Sequence, residues 1–159
     1  MPPASANSPA PEFAPKHARI MAIDYGRSRF GLALSDELGL TSQPLKTLPR
    51  TNRRDDIRRI RLLARENNVR QIVVGLPLRL DGSAGEMAEE VKRFATRLTK
   101  ELGLPVEMFD ERLSSWEANE TQVITNRREA SDTHRDDIAA AIILRDYLAS
   151  RSATPDGKQ

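Results

Sequence analysis

Acidic residues stand at three places where a predicted strand ends or a predicted helix begins. Asp24 closes an apolar strand near the N-terminus, Asp110 and Glu111 close a later strand, and Asp136 lies in the first turn of the last helix. A carboxylate beside a buried strand is costly unless a cation or a phosphate-handling site compensates it. Carboxylate oxygens suit Mg²⁺ and Mn²⁺, and such ions can orient water and neutralise charge on a phosphodiester. The pattern predicts an oxygen-only site for Mg²⁺ or Mn²⁺.

Each of these acidic residues also has a purely structural interpretation. Asp24 precedes a glycine and could form a turn. Asp110 and Glu111 could pair with Arg112 at the strand end, and the acids that open the last helix could simply stabilise its dipole. Ligands of α/β sheets gather at the carboxyl ends of parallel strands. Because three distant segments deliver carboxylates to that edge, the joint pattern favours a site.

The spacing along the last helix distinguishes two adjacent acids. Asp136, Ala140, Ile143 and Tyr147 fall on one helical face, so Asp136 is expected to point toward the sheet with the side chains that pack on it. Asp137 is expected to be the more solvent-exposed of the pair. Whether Asp110 or Asp137 joins the site is left open.

The elements that must position these residues begin with an antiparallel half. Residues 18–25 and 30–35 are close enough in sequence to form a hairpin, and residues 45–48 can add a third strand.

The second half alternates helices with strands, which implies parallel crossovers. Helices are predicted at 54–67, 85–102, 114–125 and 133–148, strands at 71–76 and 106–110, and a polar loop at 126–132. The sequence therefore predicts an α/β fold, a mixed five-stranded sheet flanked by helices.

Composition restricts the remaining possibilities. The chain has 159 residues, no cysteine and two histidines, which excludes thiolate zinc sites, disulfides and thiol catalysis. We predict a disordered N-terminal lead over residues 1–17, one folded domain over 18–149 and a flexible tail over 150–159. No apolar run of about 18 residues is present, so no membrane partner is expected and a cytoplasmic location is predicted.

Arginine dominates the basic side of the composition, with 20 arginines and 5 lysines. Arg54, Arg58, Arg61 and Arg65 form one stripe of a predicted helix, opposite its apolar face. Arginine forms bidentate contacts with phosphate, so this stripe could follow a nucleic-acid backbone. A compositional bias of the genome would explain the count equally well.

Ordered sequence blocks across almost the whole predicted domain resemble one family. They are Asp24-x-Gly26-x-x-Arg29-x-Gly31, then Gly75-Leu76-Pro77 with Gly82 and Gly85, then Asp110-Glu111-Arg112-Leu113-Ser114-Ser115, and finally Asp136-x-x-Ala139-Ala140 with Ile143-Leu144. The chain resembles the YqgF (RuvX) family. That resemblance implies a ribonuclease H-like fold and a metal-dependent nuclease that matures the 5′ end of pre-16S ribosomal RNA, with ribosome assembly intermediates as partners.

The resemblance also assigns residues. The family's acidic set falls on Asp24, Glu111 and Asp136, which we expect to be both catalytic and metal-binding. Arg29 and Arg112 match its basic positions, where each could brace a phosphate or a carboxylate. From these two matches and from the other arginines of the chain, the residues expected to contact nucleic acid are Arg27, Arg29, Arg54, Arg58, Arg112, Arg127, Arg128 and Arg135. Two departures are Ser114-Ser115 in place of a threonine and a short segment at 126–132, which weakens the expected grip on substrate.

Other functions stay open at this point. Kinship with RuvC-type Holliday-junction resolvases leaves structured or branched DNA as a substrate, and a resolvase would act as a homodimer because it needs two active sites. A non-catalytic RNA-binding assembly factor is a second alternative, against which three intact carboxylates argue. An actin-like ATPase would need a second, similar domain that a chain of this size does not supply.

Overall fold

The computed structural model describes residues 18–113 and 132–153 of the chain. Its strands are β1 (Arg19–Tyr25), β2 (Arg29–Ser35), β3 (Ser42–Pro49), β4 (Val69–Leu76) and β5 (Val106–Asp110). Its helices are α1 (Arg53–Glu66), α2 (Glu86–Leu102) and α3 (Asp132–Ala153), with a 3₁₀ turn at Glu111–Leu113 after β5.

The five strands form one mixed sheet in the order β3-β2-β1-β4-β5. The β1–β2 and β2–β3 pairs are antiparallel, whereas β1–β4 and β4–β5 are parallel. The predicted sheet, antiparallel in its first three strands and parallel afterwards, is thereby confirmed. Strands β1, β4 and β5 all end at the same edge, where Asp24 lies near the end of β1 and Asp110 and Glu111 lie at the end of β5.

One face of the sheet packs against α1 and α2. Met21 and Ile23 of β1 face Ile60 of α1 and Val91 and Leu98 of α2 within one buried cluster. Asn52 caps the N-terminus of helix α1, where its side chain accepts a hydrogen bond from the Asp55 amide, and the apolar residues of the helix recur at helical spacing. The helical periodicity therefore builds this layer.

The opposite face of the sheet packs against α3 alone among the described helices. Ala22 of β1 and Val73 of β4 lie in a second buried cluster with Ala140, Ile143 and Leu144 of α3. Because side chains alternate between the faces of a strand, residues next to each other in β1 belong to different layers. This alternation places Asp24 on the α3 side and Tyr25 on the α1–α2 side.

Some element boundaries differ from the predictions. Strand β3 is longer than residues 45–48 because its pairing with β2 extends to Ser42 and Pro49. Helix α3 continues to Ala153 rather than ending near residue 148. The predicted helix 114–125 and most of the loop 126–132 lie outside the described residues, and the predicted domain limits stay predictions. Within the described ranges, no helix combines the length and apolar character needed to cross a membrane.

Candidate active site

Three carboxylates approach each other at the edge where β1, β4 and β5 end. Asp24 lies two residues after Ala22 and Glu111 lies two residues after Phe109, and both of these apolar residues pack on the α3 side of the sheet. Asp136 is in the first turns of α3, whose start lies against β2. Local strand alternation thus directs Asp24 to the face that α3 covers.

Two glycines leave the space that this arrangement occupies. A Cβ at Gly31 would collide with the backbone carbonyl of Asp136, so the absence of a side chain lets the start of α3 approach β2. A Cβ at Gly75 would lie 3.0 Å from Glu111 Oε2 and 2.9 Å from Ile143 Cδ1. The Glu111 carboxylate therefore lies over the bare backbone of β4.

The environment of Asp24 disfavours its charged form. Burial, followed by the negative charges of Glu111 and Asp136, raises the pKa of Asp24 from 3.8 to about 8. No residue that the structure describes donates a hydrogen bond to this carboxylate. Burial, followed by the charge of Asp110, also raises the pKa of Glu111. The site has an excess of negative charge that a bound cation would relieve.

Among the described residues, Arg29 is the cation that contacts one of the three carboxylates. Its Nε donates to Asp136 Oδ2 over 2.5 Å, and both side chains are partly exposed. Of the two partners expected for Arg29, a phosphate or a carboxylate, the structure places it on the carboxylate.

The three carboxylates have the chemistry to bind a hard divalent cation, although they do not surround a common point. Asp24, Glu111 and Asp136 offer only oxygen, as Mg²⁺ and Mn²⁺ prefer. Within residues 18–113 and 132–153, no three acidic or histidine side chains are grouped closely enough to hold a metal ion as they stand.

Asp110, next to Glu111 in the chain, is paired with Arg112. Arg112 Nη2 donates to Asp110 Oδ2 over 2.7 Å and Arg112 Nε donates to the same oxygen over 3.0 Å, which lowers the pKa of Asp110. Arg112 Nη1 also donates to the Leu80 carbonyl over 3.3 Å, so Arg112 fastens the loop between β4 and α2 to the end of β5. Asp110 and Arg112 therefore form the ion pair at the strand end that was the structural interpretation of these residues.

The expectation for Asp137 is wrong. Asp137 is buried, whereas Asp136 retains 30% side-chain exposure. The reason is that α3 packs along a wide stripe that includes Ala140, Leu144 and Leu148, and Asp137 lies on that stripe.

The described side chains of Arg27, Arg54 and Arg58, also predicted to contact nucleic acid, lie apart from the carboxylates. Arg27 pairs with Glu90 of α2 over 3.0 Å, and Arg54 and Arg58 lie on α1, in the layer on the other face of the sheet. Arg58 lies 3.5 Å from Asp55. Arg127 and Arg128 lie outside the described residues, and Arg135 belongs to α3 but its side chain is not described.

Two residues that line the α1–α2 layer, Arg93 and Arg97, were missed by sequence reasoning. Arg93 and Arg97 of α2 line a groove with α1, and Arg50 lies over the rings of Tyr25 and Phe30 at 4.9 Å from each centroid. The i, i+4 spacing of Arg93 and Arg97 was a visible signal. Their relation to α1 depends on how the two helices pack, which spacing does not encode.

The mixed sheet, helix α3 on one of its faces and the carboxylates at the strand ends define an α/β domain of the ribonuclease H-like class. The solved structure of T. thermophilus RuvC in complex with Holliday junction substrate has the same fold, with a TM-score of 0.60 at 15% identity over 87% of this chain and 98% of that one.

Sequence comparison gives the family. Residues 18–150 match the model of the RuvX family, described as Holliday junction resolvase, and the chain belongs to that family. A protein of Koribacter versatilis, named "Putative pre-16S rRNA nuclease", is 46% identical over 85% of this chain and 89% of its own length. A protein of Syntrophus aciditrophicus with the same name is 46% identical over 82% of this chain and 87% of its own length.

Proposed function

We propose that this chain is a divalent-metal-dependent nuclease that hydrolyses phosphodiester bonds and processes the 5′ end of pre-16S ribosomal RNA. The observation that carries the proposal is the position of Asp24, partly buried at a strand end and acted on by the charges of Glu111 and Asp136. A partly buried carboxylate with two acidic neighbours is disfavoured in its ionised form, and a bound cation would stabilise that form.

Asp24, Glu111 and Asp136 would hold Mg²⁺ or Mn²⁺. Bound there, the ion would stabilise negative charge that develops on the phosphodiester. Arg29 holds the Asp136 carboxylate in place at the start of α3. Gly75 leaves the Glu111 carboxylate room to lie against β4, and Asp24 is fixed by the pairing of β1 with β2.

The names of the relatives support ribosomal RNA as the substrate, which would place the protein in the cytoplasm with ribosome assembly intermediates as partners. A second candidate is Holliday-junction or other DNA cleavage, favoured by the description of the family. Cleavage of both strands of a junction would require a homodimer with two such sites. A non-catalytic assembly factor would leave the three carboxylates without a role.

The test is cleavage of end-labelled precursor ribosomal RNA, single-stranded DNA and a four-way junction, each with Mg²⁺, Mn²⁺ or EDTA. Wild type is compared with Asp24→Asn and with Asp36→Asn, a matched control beyond the far end of β2 whose Oδ1 accepts from the Leu40 and Thr41 amides. We expect metal-dependent cleavage that Asp24→Asn abolishes and Asp36→Asn retains. The preferred substrate decides between RNA processing and junction resolution, whereas binding without cleavage would leave an assembly factor.

A further inference from the structure

A groove lined by arginines runs between α1 and α2, on the face of the sheet opposite the carboxylates. We call it the α1–α2 groove; it consists of two adjoining cavities of about 750 and 520 Å³ that share Arg53, Ile57 and Arg97. Its arginines on the two helices are Arg53, Arg54, Arg58, Arg61, Arg93 and Arg97. The groove is therefore a concentrated positive surface outside the candidate active site.

Four of these arginines have no acidic or hydrogen-bonding partner among the residues that the structure describes: Arg53, Arg54, Arg93 and Arg97. All four are exposed. Arg93 and Arg97 are four residues apart on α2, a spacing at which like charges repel each other and destabilise a helix. Their guanidinium groups remain available to an anion, which would also remove that repulsion.

The acidic residues that line the groove are already engaged. Glu90 accepts from Arg27 Nη2 over 3.0 Å and from the Tyr25 hydroxyl over 3.2 Å. Glu101 lies 3.6 Å from Arg61, and Asp56 is buried. The carboxylates therefore do not neutralise the four arginines, and the groove keeps a net positive charge.

The groove starts beside the carboxylate site and leads away from it. Tyr25 and Ser28 line its first cavity, and they belong to the end of β1 and the turn into β2. Asp24, the residue before Tyr25, lies on the other face of the sheet because strand residues alternate. A nucleic-acid strand that passes over the β1–β2 turn would thus have one part at Asp24 and the next part in the groove.

We propose that the α1–α2 groove binds the sugar–phosphate backbone of the nucleic acid on one side of the bond that is cut, which rests on the proposed nuclease function. Arg54 and Arg61 are separated by about 10 Å along α1, the rise of roughly three stacked nucleotides in one strand. The guanidinium groups of such arginines would donate bidentate hydrogen bonds to successive phosphates.

The groove reads the backbone and not the bases. Phe30 and Phe94 line it but are buried, and the Tyr25 ring lies under Arg50 with its hydroxyl on Glu90. No described aromatic ring is thus free on the groove floor to stack on a base, and binding here is independent of sequence and sensitive to salt.

The test measures binding of a fluorescent single-stranded RNA to the full chain in EDTA, as a function of salt, by anisotropy. The variant Arg54→Ala/Arg97→Ala removes two unpartnered arginines, and Arg145→Ala/Arg151→Ala removes two exposed arginines of α3 as a charge-matched control. We expect the first variant to lower the slope of log K against log salt by about 1.4 and to weaken binding on the order of tenfold at low salt. The control should match wild type, and thermal unfolding should show that both variants remain folded.

A second measurement separates this proposal from the nuclease proposal. If wild type cleaves RNA, the groove variant should raise KM for a long RNA, leave kcat unchanged, and cleave a dinucleotide as wild type does. If wild type cleaves nothing, the loss of binding alone still supports the groove. Unchanged affinity and salt slope in the groove variant would overturn the proposal, as would equal losses in both variants. Displacement of the RNA by inorganic phosphate at equal phosphate concentration would overturn it too, because it would indicate a small-anion site.

Discussion

Arg29 and Asp136 join the start of β2 to the start of α3 through a hydrogen bond of 2.5 Å from Nε to Oδ2, although 107 residues separate them in the chain. Both side chains keep partial exposure, 40% for Arg29 and 30% for Asp136. An exposed pair of this kind adds only about 0–1 kcal/mol to stability. Its importance lies in fixing where the Asp136 carboxylate points.

Replacing Arg29 should therefore affect activity more than stability. We expect Arg29→Gln to lower nuclease activity about 10–100-fold, as removal of a partner of a metal-binding group does, while the midpoint of thermal unfolding changes little. Arg29→Lys, which keeps the charge, should recover part of the loss. The measurement is kcat and KM with titrated Mn²⁺, in which an increase in the metal concentration for half-maximal rate identifies Arg29 as a positioning residue. Equal losses in both variants with unchanged metal dependence would contradict this role.

Asp24 should make the metal-free protein less stable as pH rises. The pKa of Asp24 is raised to about 8 in the folded protein, so between about pH 4 and pH 8 the unfolded chain loses a proton that the folded chain keeps. Each unit of that shift is worth about 1.4 kcal/mol. Asp24→Asn removes the effect, and we expect it to unfold at a higher temperature than wild type in EDTA at pH 8.

Thermal unfolding of wild type and Asp24→Asn in EDTA at pH 5 and pH 8 measures this difference, which should widen with pH. Addition of Mg²⁺ or Mn²⁺ at pH 8 should raise the unfolding temperature of wild type and leave that of Asp24→Asn unchanged, since ligand binding stabilises only the form that binds. Parallel curves for the two proteins across pH would show that the carboxylate is not perturbed.

The sheet was predictable because its signals are local. Apolar runs, glycine punctuation and helical periodicity identify the strands and helices, and period-two alternation assigns Asp24 and Tyr25 to opposite faces. The edge where Asp24 and Glu111 lie follows from the same reasoning. The distances between the side chains could not be predicted in this way. They depend on the space that Gly31 leaves for α3 and that Gly75 leaves for Glu111.

Side-chain partners between elements were harder to predict. A residue just after a strand can turn in several directions, and Asp110 turns to Arg112 because the bidentate contact is available two residues away. Arg27 follows Asp24 closely in sequence but pairs with Glu90, in the other layer. Helical spacing favoured Asp136 over Asp137 for burial, yet the wide contact of α3 with the sheet buries Asp137.

Gly75→Ala should lower the activity of the site while leaving the protein folded. The added Cβ would lie 3.0 Å from Glu111 Oε2 and 2.9 Å from Ile143 Cδ1, so the ends of both side chains must shift by tenths of an ångström. Because both side chains are flexible, we expect a cost in stability of about 1 kcal/mol or less. Misplacement of a catalytic group by about 1 Å can lower the rate on the order of 10²-fold, and this smaller shift should lower it by less.

Gly39→Ala is a suitable control for Gly75→Ala. Gly39 has φ +71° with open space around it, so alanine there strains the backbone without touching the site. Urea unfolding should show both variants less stable than wild type, and cleavage assays should show the loss of activity in Gly75→Ala alone. Full activity in Gly75→Ala would show that the site does not depend on the exact position of the Glu111 carboxylate over β4.

Asp56 should be the carboxylate on which the stability of the α1 layer depends most. It is 2% exposed, Arg59 Nη2 donates to its Oδ1 over 2.6 Å, and the Thr51 amide donates to the same oxygen over 2.9 Å. Burial opposes its ionisation, but these hydrogen bonds outweigh burial and lower the pKa of Asp56. Removing one partner of a buried charged network costs about 3 kcal/mol or more.

We therefore expect Asp56→Asn to lower the free energy of unfolding by about 3 kcal/mol at pH 7, whereas Asp55→Asn, its exposed neighbour, should lower it by less than about 1 kcal/mol. Because the folded pKa lies below the unfolded value, the contribution of Asp56 is complete above the unfolded pKa and disappears as pH falls through the folded one. Urea unfolding at pH 7 and at successive pH values below 4 measures this. The wild-type and Asp56→Asn free energies should converge at the acidic end, and a constant gap there would mean that packing, not charge, makes Asp56 important.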